Sequence, residues 1–420
     1  MTPDASSRTL GGMTTTVTDR RRLTALRARW LFDGTSSTLT ANPTVVLDGD
    51  TILAAGAATP PPSGAEVVDL PGATLLPGLI DTHVHLAFDA STDPVGHLAA
   101  RDDNAALQAM ANAARTAASG GVTTVRDLGD RNYLALALRE AAPGGPLPTI
   151  VAAGPPITTP GGHCHFLGGA TTGADGVRAA VRKHAERGVD VIKIMASGGA
   201  LTPGTRPELS QFSTEELRAA VDEAHRHSLP ITAHAHGTPA IAAAIAAGAD
   251  GIEHASFTTT DAVDTAPENL IRAIVDSRIV LGATGGFTPG AALPPTMSAR
   301  LPAIITNFRR LHEAGAPIVV GTDAGVGPPK PPDVLRWGVS QLAQIGLSPA
   351  AALRTVTSQA AAVCRLAHRK GQLAPGFDAD ILAIDGNPLT DPAALHRIRA
   401  VYLRGVPIRP ATTCTATRTR

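Results

Sequence analysis

Residues 73–86 read ATLLPGLIDTHVHL. An apolar run opened by a Pro-Gly turn ends in two histidines two positions apart. Side chains at i and i+2 leave a β-strand from the same face, so His83 and His85 are placed to grip one metal ion together. The pair alone also reads as two satisfied polar residues. Here, however, it closes a strand buried enough to be continuously apolar, which turns the imidazoles toward a pocket rather than bulk water.

Working outward, seven further runs resemble the first. After GLIDTHVHL come GVTTVRDLG, PTIVAAG, VDVIKIMAS, PITAHAHG, GIEHAS, RIVLGATGG and PIVVGTDAG. Alanine-rich stretches with helical periodicity separate them, such as NAALQAMANAARTAAS and STEELRAAVDEAHRH. The latter opens with Ser213 and Glu216, the spacing of a capping box. Eight apolar runs alternating with helices predict an α/β fold, a (β/α)₈ TIM barrel, over residues 77–369. Residues 23–76 and 370–410 instead carry short alternating strands between Gly, Asp and Pro turns. They predict a small antiparallel β-sandwich built from both chain ends. Residues 1–22 and 411–420 read as a disordered leader and tail, and Met13 offers an alternative start.

Composition narrows the partners. With 36 basic and 36 acidic residues and a sequence pI near 7.3, no basic excess exists to collect phosphates, so nucleic acid and anionic membranes are not expected. Aromatic residues make up 3% of the chain, too few for stacking platforms. Cys164, Cys364 and Cys414 lie far apart without a CxxC pair, which argues against a disulfide framework or thiolate metal site. The N-terminal stretch has no apolar core of a secretory signal, and no run approaches transmembrane length. A cytoplasmic homo-oligomer acting on a small-molecule substrate is expected.

The remaining polar residues of interest end the predicted strands, where barrel enzymes place their chemistry. They are Lys193 on the fourth strand, His234 on the fifth, His254 on the sixth and Asp323 on the eighth. His236 repeats the i, i+2 spacing with His234. His234 is favoured as a metal ligand because it lies nearer the strand proper, leaving His236 to contact substrate or to support a ligand through a hydrogen bond. Strand alternation sends Glu253 toward the helix layer, with no catalytic role. Asp323 follows the apolar PIVVGT, so it must be paired or metal-bound, or else cap a helix. Lys193 is conspicuous because the 36 basic residues include four lysines, the others being Lys183, Lys330 and Lys370. A desolvated amine reacts with carbonyl compounds or CO₂, whereas guanidinium does not. Schiff-base formation is one use. Beside this many metal-type ligands a CO₂-derived carbamate is the better one, because a cation next to two dications is repelled.

Taken together, these motifs resemble the amidohydrolase superfamily. The resemblance spans nearly the whole chain, from ATLLPGLIDTHVHL to GQLAPGFDADILAIDGNPL, with HxH, Lys, His, His and Asp in barrel order. GGHCHFLGG, VIKIMASGGALTP and AHAHGTPAIAAAIAAGADGIEHASF resemble its imidazolonepropionase-like and Xaa-Pro or Xaa-Arg dipeptidase-like branch. The resemblance implies a metal-dependent hydrolase of dipeptides, N-acyl amino acids or related amides, with two divalent metal ions. One is held by His83, His85 and Asp323 and the other by His234 and His254, with carboxylated Lys193 and a hydroxide bridging them. Asp323 then takes the water's proton and delivers it to the leaving amine. Zinc is the default metal for such ligands, with manganese, cobalt or iron as alternatives.

Some positions depart from a simple transfer. Imidazolonepropionase itself resembles a one-metal enzyme without the bridging lysine, so Lys193 weighs against that activity. Arg206, in TPGTRPELSQFS, is either a clamp for a substrate carboxylate or an ordinary surface arginine. His163, in TPGGHCHFLGG, is expected to touch substrate, since flanking glycines let that backbone approach a ligand. Competing readings are a mononuclear deaminase of a heterocycle, which needs no Lys193, and a lactonase or ester hydrolase on the same metals. A non-catalytic scaffold is a further one, but it predicts lost ligands, and none is lost.

Overall fold

The computed structural model describes residues 23–57, 60–142 and 145–408. The expected leader, Met13, the expected tail and Cys414 lie outside the described residues.

The first five strands, β1 (Thr24–Leu31), β2 (Thr40–Ala41), β3 (Pro43–Asp48), β4 (Thr51–Ala57) and β5 (Glu66–Pro77), belong to one sheet. It is completed from the other end of the chain by β14 (Ile381–Asp385), β15 (Ile398–Leu403) and β16 (Val406–Ile408), giving the order β16-β15-β14-β5-β1-β3-β4 with β2 paired to β1. The sheet closes over its own apolar core, which includes Leu26, Val45, Ile52, Leu75 and Ile381. One pairing differs from expectation: β1 and β5 run parallel, so this sandwich is mixed rather than wholly antiparallel.

β5 passes through Gly78 straight into the barrel. The eight expected runs become β6 (Leu79–Val84), β7 (Val122–Asp127), β8 (Thr149–Ala152), β9 (Ile192–Met195), β10 (Ile231–Ala235), β11 (Gly251–His254), β12 (Val280–Ala283) and β13 (Ile318–Val320). All their pairings are parallel, in ladders β6-β7-β8 and β9-β10-β11-β12-β13. Two seams close the circle. At one, Asp323 N donates to His83 O at 2.7 Å and His85 N to Ala324 O at 2.9 Å. At the other, Ile157 N donates to Lys193 O and Met195 N to Ile157 O, both at 2.8 Å. Both seams thus run through residues singled out by the sequence, which fixes their heights on the barrel.

The helices form as their sequences demand. Thr214–Arg226 opens with the reciprocal Ser213–Glu216 capping box. Asp103–Ser119 is capped by Asp102 and turns Met110, Ala111 and Ala114 inward. Alanine on the inner faces lets helices sit close to the strands, and the resulting apolar layer is the main core. Among the described residues no helix is long and apolar enough to cross a membrane, and Cys164 and Cys364 are free and buried.

Candidate metal centre

At the C-terminal end of the barrel the imidazoles are held from outside. His83 Nδ1 donates to Glu253 Oε2 at 2.9 Å, His85 Nδ1 to Gly129 O at 3.1 Å, and His234 Nε2 to Gly198 O at 3.0 Å. Carboxylate and carbonyl oxygens only accept, so those outer nitrogens carry the protons. Each neutral ring is left with a lone pair on its inner nitrogen. His254 Nδ1 meets Thr284 Oγ1 at 3.1 Å and His236 Nδ1 meets Ser256 Oγ at 2.8 Å, hydroxyls that can either donate or accept and that hold the rings without fixing their tautomer.

The inner atoms converge. His83 Nε2 lies 3.3 Å from Lys193 Nζ and 3.5 Å from Asp323 Oδ1, and His85 Nε2 lies 3.3 Å from the same oxygen. Two groups have donor atoms within 4.8 Å of one another: His83, His85 and Asp323, and His234, His236 and His254. They adjoin, because the His254 ring is 5.3 Å from His83 and 4.5 Å from His234 between centroids. The sequence set His236 apart from the ligands; the structure puts it inside the second group.

Electrostatics leave this donor set ready for cations. Burial pushes His83 and His236 down to about 4 and holds His234 and His254 well below the ordinary imidazole value. These rings are therefore neutral near pH 7. His85 is the exception: burial lowers it, but Asp323 and Asp127 outweigh burial and raise it. Burial also works to raise Asp323, yet His83, His85 and His254 hold its carboxyl well below the usual range. Burial lowers Lys193 to about 8 against the pull of Glu253 and Asp323, so a neutral amine is accessible. Neutral imidazoles with inward lone pairs, an ionised carboxylate and a reactive amine fit a pair of divalent cations.

Two features were not legible as site residues. Glu253, expected to face the helices, points into the barrel. Its Oε1 accepts from Arg126 Nη2 at 2.9 Å and Thr232 Oγ1 at 2.8 Å, while Oε2 holds His83. The alternation argument fails because His254 has a positive φ of 70°, so both Glu253 and His254 turn inward. Room for Glu253 comes from Gly282 on β12, where a Cβ would lie 2.1 Å from Glu253 Oε2. Asp323 is likewise left-handed, with φ 60°, and no helix begins after it, which removes the helix-cap reading. The second missed feature is Lys330. Its buried Nζ donates to Thr284 O at 2.9 Å and Thr322 O at 2.5 Å, tying together the ends of β12 and β13 beside His254 and Asp323. Its scarcity as a lysine was the one signal available.

Of the expected substrate contacts, His163 reaches the cluster. Its ring lies 4.7 Å from His234, and its buried Nδ1 has no hydrogen-bond partner among the described residues. Its backbone N–H is pinned by Gln211 Oε1 at 2.6 Å. Arg206 lies at the rim, its backbone against Gly198, and its guanidinium is 53% exposed and engaged by Glu208 Oε1 at 2.7 Å and Thr260 Oγ1 at 3.0 Å.

Comparison with known proteins agrees with this geometry. A model described as the amidohydrolase family matches residues 74–408. The ochratoxinase of Aspergillus niger is 30% identical over 360 residues, covering 78% of this chain and 73% of that protein. The imidazolonepropionase of Salinispora arenicola is 25% identical over 370 residues, covering 83% and 85% respectively. A crystal structure of a Xaa-Pro dipeptidase with methionine bound in its active site superimposes with a TM-score of 0.81 at 27% identity, covering 92% of this chain and 100% of that one.

Proposed function

The chain belongs to the amidohydrolase family, and we propose that within it the protein hydrolyses a C–N amide or peptide bond in a small substrate of the dipeptide or N-acyl amino acid type. The observation that carries this reading is the convergence of inward imidazole nitrogens on Asp323 and Lys193, each ring oriented from outside by an acceptor or hydroxyl. The names of similar proteins, an ochratoxinase and a Xaa-Pro dipeptidase, support the bond type.

In this reading His83, His85 and Asp323 would hold one divalent ion, zinc by default, and His234 and His254 a second, with His236 beside them. Lys193, as a carbamate made from CO₂, would add oxygen ligands to this set. Ions bound there would acidify a water and polarise the scissile carbonyl. The chain's own residues do the rest. Asp323, kept ionised by the surrounding imidazoles, accepts the proton of the attacking water and passes it to the departing nitrogen. Glu253 and Gly129 O keep His83 and His85 in the tautomer that leaves Nε2 free. His163, unpartnered beside His234, reaches the substrate's carbonyl or carboxylate.

A hydrolysis screen on the purified, metal-loaded protein tests the assignment, using dipeptides, N-acyl amino acids, lactones and aminated heterocycles. The amides should be turned over fastest. A clear preference for lactones or for deamination would replace this reading.

A further inference from the structure

A cavity of about 510 Å³ lies at the far end of the barrel from His83 and Asp323, among the strands' N-terminal ends. Much of its wall is apolar, with Val191, Leu229, Val280 and Val319 among the lining residues, and its inner end carries Arg126 and Glu253. Barrel interiors are ordinarily filled by layers of branched side chains. Here Gly251 and Gly282 contribute none, and space remains.

Arg126 is 4% exposed and only partly satisfied. Its Nε donates to Thr82 O at 2.6 Å and its Nη2 to Glu253 Oε1 at 2.9 Å. Nη1 makes neither bond, nor is it among the polar atoms sealed from solvent without a partner. The residue lines the cavity, and Nη1 is its one guanidinium nitrogen without a hydrogen bond. The acidic groups there are already engaged. Glu253 accepts from Arg126, Thr232 and His83, while Asp250 Oδ2 accepts from Ile231 N at 2.8 Å and His225 Nε2 at 2.9 Å. At the rim Arg365 adds a second, exposed cation. The unmet demand of the cavity is thus for an anion with an apolar body.

We propose that this cavity is a second ligand site, taking a small monocarboxylate whose carboxylate meets Arg126 and whose apolar body lies against Val191, Val280 and Val319. Guanidinium donors pair well with carboxylates, and the valines reward burial of a hydrocarbon. The occupant touches the Arg126–Glu253 pair that orients His83, at the opposite end of the barrel from substrate. The proposal does not rest on the reaction assigned to the mouth, because it is read by binding alone.

The test is calorimetric titration of the purified enzyme with isobutyrate and benzoate, and with isobutyramide and benzamide as uncharged controls. The acids should bind at one saturable site, with the amides roughly tenfold or more weaker, as loss of a charge-assisted hydrogen bond implies. Ala362, on the exposed side of the rim helix Ser358–Val363, allows the cavity to be plugged without touching the core. Ala362→Trp should abolish acid binding while hydrolysis and metal content stay at parent levels, and His163→Ala should leave binding intact. Three results would overturn the proposal: no saturable binding of either acid; equal binding of acids and amides; or binding that survives Ala362→Trp and is lost in His163→Ala, which puts the ligand at the mouth.

Discussion

Replacing Glu253 with glutamine exchanges one oxygen for an NH₂ group of the same size at the point where the barrel interior grips His83. The carboxylate accepts three hydrogen bonds, from His83 Nδ1 at 2.9 Å, Arg126 Nη2 at 2.9 Å and Thr232 Oγ1 at 2.8 Å. A glutamine has one accepting end. With its oxygen toward Arg126 and Thr232, its NH₂ confronts the His83 N–H. His83 must then lose that bond or adopt the other tautomer, which puts a proton on the Nε2 that faces Lys193 and Asp323. Loss of such an orienting partner costs about 10–100-fold in metal affinity or activity, or ~1.4–2.8 kcal/mol at ~1.4 kcal/mol per tenfold. With the amide reversed, Arg126 keeps Thr82 O but is left as a buried cation without its anionic partner, and the cost, ~3–5 kcal/mol for a broken buried pair, falls on stability instead. Metal affinity measured by competition with a chelator, alongside the Tm, separates the two outcomes. A folded variant with unchanged Tm and unchanged metal affinity would refute both the orienting role of Glu253 and the assignment of His83.

Four further outcomes are expected. Asp323→Asn should keep the fold and lower turnover by about 10²–10⁴-fold, the usual worth of general acid–base transfer, and near-normal turnover would remove Asp323 from proton transfer. Lys193→Ala should lose much of its metal and activity, with partial rescue by short carboxylic acids, and Lys193→Arg should not rescue because arginine cannot carry a carbamate. For the parent, bicarbonate should speed reconstitution of the metal-free protein. Only the neutral amine captures CO₂ and burial lowers Lys193 to about 8, so at a fixed concentration of dissolved CO₂ this effect grows as pH rises toward that value and fades below it; a reconstitution rate indifferent to dissolved CO₂ and pH would count against the carbamate. If His163 meets a substrate carboxylate, free-acid substrates should outpace their C-terminal amides, and His163→Ala should erase the difference; equal rates in the parent would end that assignment.

The barrel was readable because its strands are short, apolar and regularly separated, and because the i, i+2 rule holds wherever the backbone stays extended. That is true of His83 and His85. The rule fails where the strand ends in left-handed backbone. At His254 the turn brings in both that residue and its neighbour Glu253, which simple alternation assigns to opposite faces. Nothing local marks Arg126 as the partner of Glu253, since the pair is formed by chain segments 127 residues apart meeting inside a closed barrel. Lys330 illustrates a subtler gap. Its rarity was visible, yet its contacts with the ends of β12 and β13 depend on how the loop after Asp323 folds back. Arg206 shows the reverse: a residue type suited to a carboxylate is taken up by Glu208, two positions along the chain. Unfilled space such as the cavity below Arg126 leaves no trace in a linear pattern.

The central claim is a two-ion centre bridged through Lys193, and metal content with intact mass on one fully active preparation tests it most directly. The account predicts two divalent ions per chain and, under conditions that preserve the adduct, a mass increment of one CO₂ that disappears in Lys193→Ala. One ion per chain beside an unmodified Lys193, in enzyme of full activity, would contradict it and favour a mononuclear centre.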